Sequence, residues 1–428
     1  MKHILKNKIF SDAIIYMLST ILSRGINFLL IPVLTYYLTK EDYGYLGLIL
    51  SVVVILRVYI GLFPSNFLIV KYSAYGKERI GKYMSNIFII LAVTYFICLF
   101  ILLIVEDSIF TNIDNSSQLV FLISIYALFS VIFRIFSTII QLEKNAIKYA
   151  IFQFIWIISS VSLGLLLIIE FNWGWEGKFY SQLLMLFCLA VYSIYYFIKN
   201  KYFILDFDIK KIKELFFYLF PLTFAVVGSF LMGTIDKVIL TKYMNLEAVG
   251  IYAIAMTMSI IINIVFDAAM RSWEPYFFEK LNRGTKVDVK VVVRAVLLYK
   301  VFVLIFTLFY LFIVPYLFSF MVDDKFSEAL IYIPILVIAF FFEGLRKSLA
   351  GFLTQENRVK TLGLINFLAA MLNIVLNIIW IPEYGIFGAA YATLVSFAAL
   401  YIITLYCALS HSKLSWSLFK KDIVIDKK

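Results

Sequence analysis

Apolar residues run through this chain in blocks of roughly 20, the length an α-helix needs to cross a hydrocarbon core. Short polar stretches separate the blocks. The pattern predicts about twelve transmembrane helices, at 11–38, 43–70, 83–105, 119–142, 149–169, 179–198, 215–240, 248–273, 293–321, 329–353, 362–381 and 386–409. The first block is too long for a signal peptide and lacks a small-residue cleavage site, so it reads as a retained helix. The expected fold class is an all-α polytopic membrane protein.

Composition agrees with the pattern. Of 428 residues, 63% are hydrophobic and only 15% charged, a balance that no water-soluble fold of this length keeps dissolved. The net charge of +11 would suggest nucleic acid in a soluble protein. Here the Lys and Arg instead concentrate in alternate loops, at 71–82, 199–213 and 274–292, and at both termini. That asymmetry places both termini in the cytoplasm. The opposite loops are short and acidic, with Glu106, Asp107 and Asp114 in one and Asp323, Asp324 and Glu328 in another. None exceeds about 15 residues, which leaves no room for an extracytoplasmic catalytic domain. The two histidines, His3 and His411, are terminal. An enzyme is therefore not expected, nor is a metal or cofactor. Cys98, Cys188 and Cys407 each lie in an apolar block, where a disulfide or metal site has no place.

The chain repeats itself. Val33-Leu34-Thr35-Tyr36-Tyr37-Leu38-Thr39-Lys40-Glu41-Asp42-Tyr43-Gly44 overlays Ile239-Leu240-Thr241-Lys242-Tyr243-Met244-Asn245-Leu246-Glu247-Ala248-Val249-Gly250 without a gap. Trp173-Gly174-Trp175-Glu176-Gly177 echoes Tyr384-Gly385-Ile386-Phe387-Gly388 before the sixth and twelfth spans. These matches predict two six-helix halves, 1–198 and 214–411, a basic linker at 199–213 and a tail at 412–428. An even number of spans per half gives both halves one orientation, the arrangement that builds transporters with a cavity between two lobes.

Ionisable residues within the bilayer are costly and mark a pathway or a pair. The first half offers Arg24, Arg57 and Arg134, all cationic. The second offers Asp236 and Lys237, Asp267 and Arg271, Lys300, and Glu343, Arg346 and Lys347. Asp267 with Arg271, and Glu343 with Arg346 or Lys347, stand at helical spacings where side chains meet. Lys237 and Lys300 lie near span ends, within snorkelling reach of the headgroups. Arg24 and Arg57 have no carboxylate nearby in sequence and sit deep. An excess of guanidinium in a hydrated vestibule selects an anion, and its fork matches phosphate oxygens. Pro32, Pro64, Pro221, Pro315 and Pro334 predict kinks within spans.

Ser23-Arg24-Gly25, then Ile31-Pro32-Val33-Leu34-Thr35 and Tyr43-Gly44, resemble the opening of the polysaccharide export flippases. The segment from Leu376-Asn377 through Trp380-Ile381-Pro382-Glu383-Tyr384-Gly385-Ile386-Phe387-Gly388-Ala389-Ala390 is similar to that family's eleventh-to-twelfth span signature. The resemblance covers essentially the whole chain and points to the Wzx-type, O-antigen branch of the multidrug, oligosaccharidyl-lipid and polysaccharide exporter superfamily. It implies two six-helix bundles forming a V in the bacterial inner membrane. The implied cargo is an undecaprenyl-diphosphate-linked oligosaccharide of the lipopolysaccharide or capsule kind, carried from the cytoplasmic to the outer leaflet. Membrane lipids, a polysaccharide polymerase and a chain-length regulator are the implied partners, and nucleic acid is not. By resemblance, Arg24 is like the first-helix cation that lines the cavity of lipid II flippases, and Arg57 holds a comparable place. Asp267 with Arg271 departs from the lone arginine of that family's eighth span. Substrate-binding candidates are thus Arg24, Arg57, Arg134, Arg271, Arg346 and Lys347, with Asp236, Asp267 and Glu343 as candidates for ion coupling. The alternative reading is a cation-coupled drug or metabolite antiporter built on those three carboxylates.

Overall fold

The computed structural model describes residues 15, 16, 19, 25, 26, 28–62, 64–110, 113, 115–204, 206–283 and 285–411. Among them every regular element is helical. The chain runs through α1 (Ile31–Tyr37), α2 (Lys40–Gly61), α3 (Pro64–Ile109), α4 (Ser116–Leu142), α5 (Ala146–Ile169), α6 (Gly174–Lys199) and α7 (Ile209–Leu231). It continues through α8 (Ile235–Tyr243), α9 (Leu246–Arg283), α10 (Lys286–Met321), α11 (Ala329–Gln355), α12 (Val359–Tyr384) and α13 (Ile386–His411). Of these helices, 10 are long and apolar enough to cross a membrane.

The shortfall from about twelve spans has local causes. Part of the predicted 11–38 block, residues 11–14, 17, 18, 20–24 and 27, lies outside the described residues, and its C-terminal end forms α1. The predicted 215–240 span is not one helix. It breaks after Leu231, turns through Gly233 at a φ of +88°, and restarts at Ile235. Only glycine adopts that backbone without strain. The carbonyls freed by the break are bonded locally: the Thr234 hydroxyl donates to Leu231 O (3.2 Å) and the Lys237 ammonium to Gly233 O (3.2 Å). In hydrocarbon such groups have no water to turn to. The predicted 43–70 span also bends, because α2 ends at Leu62 in the left-handed region (φ 42°) before Pro64 opens α3. Within α3, Gly76 is non-helical, and the apolar stretch Ile80–Ile109 forms the next crossing.

Two compact units divide at residue 223: Met1–Thr223 and Phe224–Lys428. In the first, α4 is the hub and packs against α2, α3 and α6. In the second, α11 is the hub and packs against α9, α10 and α13. The sequence match has a counterpart in the caps. Thr39 Oγ1 accepts the Asp42 amide (3.0 Å) to open α2, and Asn245 Oδ1 accepts the Ala248 amide (2.9 Å) to open α9. Thr39 and Asn245 occupy the same place in the match. Asp42 adds a tertiary bond, because its other oxygen accepts the Trp175 amide at the start of α6 (3.1 Å).

Outward faces carry large apolar residues, with Phe312 71% and Phe320 84% exposed on α10. A surface of this kind is solvated by lipid tails. Helices approach most closely where a glycine removes the side chain. At Gly388 a Cβ would lie 2.4 Å from the Trp380 carbonyl oxygen, whereas at Gly25 it would meet nothing within 4 Å. Gly388→Ala is accordingly expected to destabilise the α12–α13 hairpin by about 1–3 kcal/mol. Gly25→Ala serves as the neutral control, and thermal unfolding in detergent measures both.

Candidate functional site

One face of α4 carries a polar stripe, Tyr126, Ser130, Arg134, Ser137 and Gln141, at the three- and four-residue spacing that aligns side chains on a helix. Tyr149, Gln153 and Trp156 repeat that spacing on α5. These faces meet Arg57 of α2 around a cavity of about 410 Å³ lying wholly within the first unit. The cavity brings Arg57 and Arg134 together, and no carboxylate is among its described lining residues. Arg57 is half-buried and has no ion pair among the described residues, while Arg134 is exposed. Two guanidiniums sharing one water-accessible chamber repel each other and attract an anion.

Hydroxyls and amides complete the lining. Thr138 donates to Ser65 Oγ (3.1 Å), Gln153 to Ser137 Oγ (3.3 Å), and Tyr126 to Gln182 Oε1 (3.1 Å). Tyr126, Tyr149, Phe133 and Trp156 add aromatic faces. Such walls offer a sugar both hydrogen bonds and stacking. The uncharged polar residues of α4 and α5 carry no charge to mark them inside a span. Their helical spacing was the signal that could have found them. Arg24 lies outside the described residues.

The second unit handles its charges differently. Glu343 accepts two bonds from Arg346, at 2.7 and 2.6 Å. Asp267 does not pair with Arg271, as the spacing predicts; it pairs across helices with Lys347 at 2.6 Å. Lys347 also reaches Asn263 Oδ1, so α9 presents two oxygens from one face to a single ammonium. That leaves Arg271 exposed, without an ion pair among the described residues. Arg271, Arg346 and Lys347 line a cavity of about 250 Å³, but Asp267 and Glu274 share its wall. The chamber is therefore of mixed sign, unlike that of the first unit.

Asp236 is fully buried just after the break between α7 and α8. It accepts from the Tyr252 hydroxyl and from the Lys237 amide (3.2 Å), and Tyr252 lies 3.3 Å from the Thr393 hydroxyl. Helix α12, which packs on α8, carries fully buried Asn373 and Asn377. Asn377 donates to Asn373, leaving Asn373 Nδ2 and Asn377 Oδ1 with no partner. Unsatisfied buried amides are rare and call for an explanation. Lys300 of α10 is half-buried.

The family model described as "Polysaccharide biosynthesis protein" matches residues 9–281, and that for MatE matches 221–379. An "Uncharacterized membrane protein" of Haemophilus influenzae is 24% identical over 65% of this chain and 67% of its own length. The "Lsg locus putative protein 1" of the same organism is 20% identical over 64% and 67%. Among solved structures, lipid II flippase MurJ in an inward closed conformation superposes with a TM-score of 0.73 at 16% identity, over 93% of this chain and 87% of that one. An inward-facing multidrug resistance MATE transporter of the MOP superfamily gives 0.71 at 12%, over 89% and 92%. The chain has the fold of these transporters.

The cross-helix pair gives a direct check. Asp267→Asn or Lys347→Met is expected to lower stability by about 1.5–3 kcal/mol. The exchange of both, Asp267→Lys with Lys347→Asp, recovers part of that loss. A double-mutant cycle on detergent melting curves reads the coupling.

Proposed function

Because this chain belongs to the polysaccharide biosynthesis protein family, we propose that it flips an undecaprenyl-diphosphate-linked oligosaccharide, of the O-antigen or capsule kind, across the bacterial inner membrane. The observation that carries this reading is the cavity in which Arg57 and Arg134 meet with no carboxylate among its described lining residues. A diphosphate held there restores local neutrality, and guanidinium forks give its oxygens charge-assisted hydrogen bonds. The glycan occupies the hydroxyl- and amide-lined space, and the polyprenyl tail stays in lipid. Arg24, which lies outside the described residues, is a further candidate on the resemblance alone. Arg271, exposed and without an ion pair among the described residues, is a cargo-binding candidate within the second unit. Arg346 and Lys347 have Glu343 and Asp267 as partners and serve the cargo less directly. Both termini face the cytoplasm, following the positive-inside bias. A polymerase and a chain-length regulator receive the flipped unit.

Coupling to an ion falls to Asp236. Asp267 and Glu343 are each neutralised by a cation, whereas Asp236 faces hydroxyl and amide donors, next to a helix on which Asn373 Nδ2 and Asn377 Oδ1 are buried without a described partner. The match of residues 221–379 to MatE keeps the antiporter reading in play for the same carboxylate. Surface glycan in cells decides between them. Arg57→Ala with Arg134→Ala is expected to reduce it about tenfold or more, with protein in the membrane unchanged, since each lost charge-assisted contact is worth roughly 1.5–3 kcal/mol. Normal glycan display by this double variant, together with a defect in efflux of organic cations, would favour the antiporter. Asp236→Asn is expected to leave the substrate bound but remove the response of transport rate to an imposed sodium or proton gradient in proteoliposomes.

A further inference from the structure

A second, smaller cavity of about 100 Å³ lies in the first unit, beside the arginine chamber. Trp156 lines both. Tyr126, on the wall of the larger, donates to Gln182 on the wall of the smaller. The partition between the chambers is therefore one indole ring and one hydrogen-bonded pair. Beyond it the charged residue in the lining is Lys178. Its ammonium makes no ion pair or hydrogen bond among the described residues, and no carboxylate is among the described residues that line this cavity. Gly164 of α5 shares the lining and lets α5 close on α6 at this level: a Cβ there would lie 2.9 Å from Ser181 Oγ and 3.7 Å from Lys178 Cα.

Depth orders the cations. α2 and α6 start at one end of the unit, where Asp42 accepts the Trp175 amide. At about 1.5 Å per helical residue, Lys178 lies about 6 Å from the start of α6, Gln182 about 12 Å, and Arg57 about 26 Å along α2. Arg134 is about 12 Å beyond Tyr126 along α4 by the same measure. The positive charge thus descends in two steps, a pair of guanidiniums deep in the unit and a single ammonium near the end that the loop charges orient outward.

We infer that Lys178 is a second phosphate station, which receives the lipid diphosphate from Arg57 and Arg134 before it leaves at the outer face. The inference rests on the flippase reading above and adds to it a site and a direction. A point-charge ammonium binds phosphate less rigidly than two planar forks, which suits a station from which cargo departs. The passage opens when the Tyr126–Gln182 bond yields. The competing role is a lysine that merely snorkels from near the first turn of a membrane helix. A snorkelling lysine serves only to place its own charge at the headgroups, and its replacement by an apolar side chain of similar length leaves transport intact.

The test compares Lys178→Met, Lys178→Arg and the Arg57→Ala, Arg134→Ala double variant in the full-length protein. Surface glycan is read in cells, and binding of inorganic pyrophosphate is read on purified protein from its tryptophan fluorescence. Loss of the second station's charge-assisted contact is expected to cut export by Lys178→Met about tenfold, with pyrophosphate binding kept within about twofold and Lys178→Arg near wild type. If Lys178→Met exports normally while the arginine variant does not, the station is overturned and the flippase reading stands. If both export normally, the flippase reading itself fails. If Lys178→Met loses pyrophosphate binding along with export, Lys178 is part of the arginine site and no second station exists.

Discussion

An ionised side chain in hydrocarbon must find a counter-charge, a hydrogen-bonding wall or water, and the arrangement of this protein follows from how each charge meets that demand. In the second unit the answer is pairing. Glu343 takes both nitrogens of an Arg346 fork, and Asp267 takes Lys347 across a helix interface. The second pair fastens α9 to α11, the helix on which that unit is built, and the first lies within α11 itself. In the first unit the answer is a cavity. Arg57 and Arg134 open onto shared polar space without a described carboxylate in its walls. Similar packing thus serves opposite electrostatic ends.

That contrast is superimposed on repeated local devices. Thr39 and Asn245 cap corresponding helices, and Gly174 and Gly385, both at positive φ, precede the sixth and last apolar crossings. Backbone groups at helix ends must be satisfied whatever the cargo, so the capping residues hold their places in both units. Cavity residues answer to the substrate instead. The polar stripe of α4 faces a cationic chamber, whereas α11, the hub of its own unit, contributes Arg346 and Lys347 to a wall of mixed sign.

Much of the fold was legible because the signal is crude and the constraint severe: runs of apolar residues long enough to span leave few alternatives. Breaks were less legible. Gly233 sits inside the 215–240 run and changes hydropathy very little, yet its backbone freedom splits the helix. Partners were least legible of all. Asp267 and Arg271 satisfy the helical pairing rule, but the rule compares residues on one helix and knows nothing of Lys347 on another. Lys178 escaped notice for a simpler reason: the predicted sixth span opened at 179, and the helix itself opens at Gly174. A boundary error of a few residues moved a membrane cation into a loop.

Lys237 shows why position in a span is a poor guide to the fate of a charge. By distance from the span end it was placed within reach of the headgroups. The structure turns it back instead, onto the Gly233 carbonyl that the helix break sets free. A lysine in this role stabilises an unwound backbone that lipid would otherwise penalise, and the break in turn delivers Asp236 into the buried polar core. The two neighbours therefore divide the work: the cation maintains the backbone irregularity, and the carboxylate is the group that irregularity presents. Removing the glycine would take away the reason for the lysine, and continuous helix through this segment would carry Asp236 out of the geometry in which Tyr252 meets it.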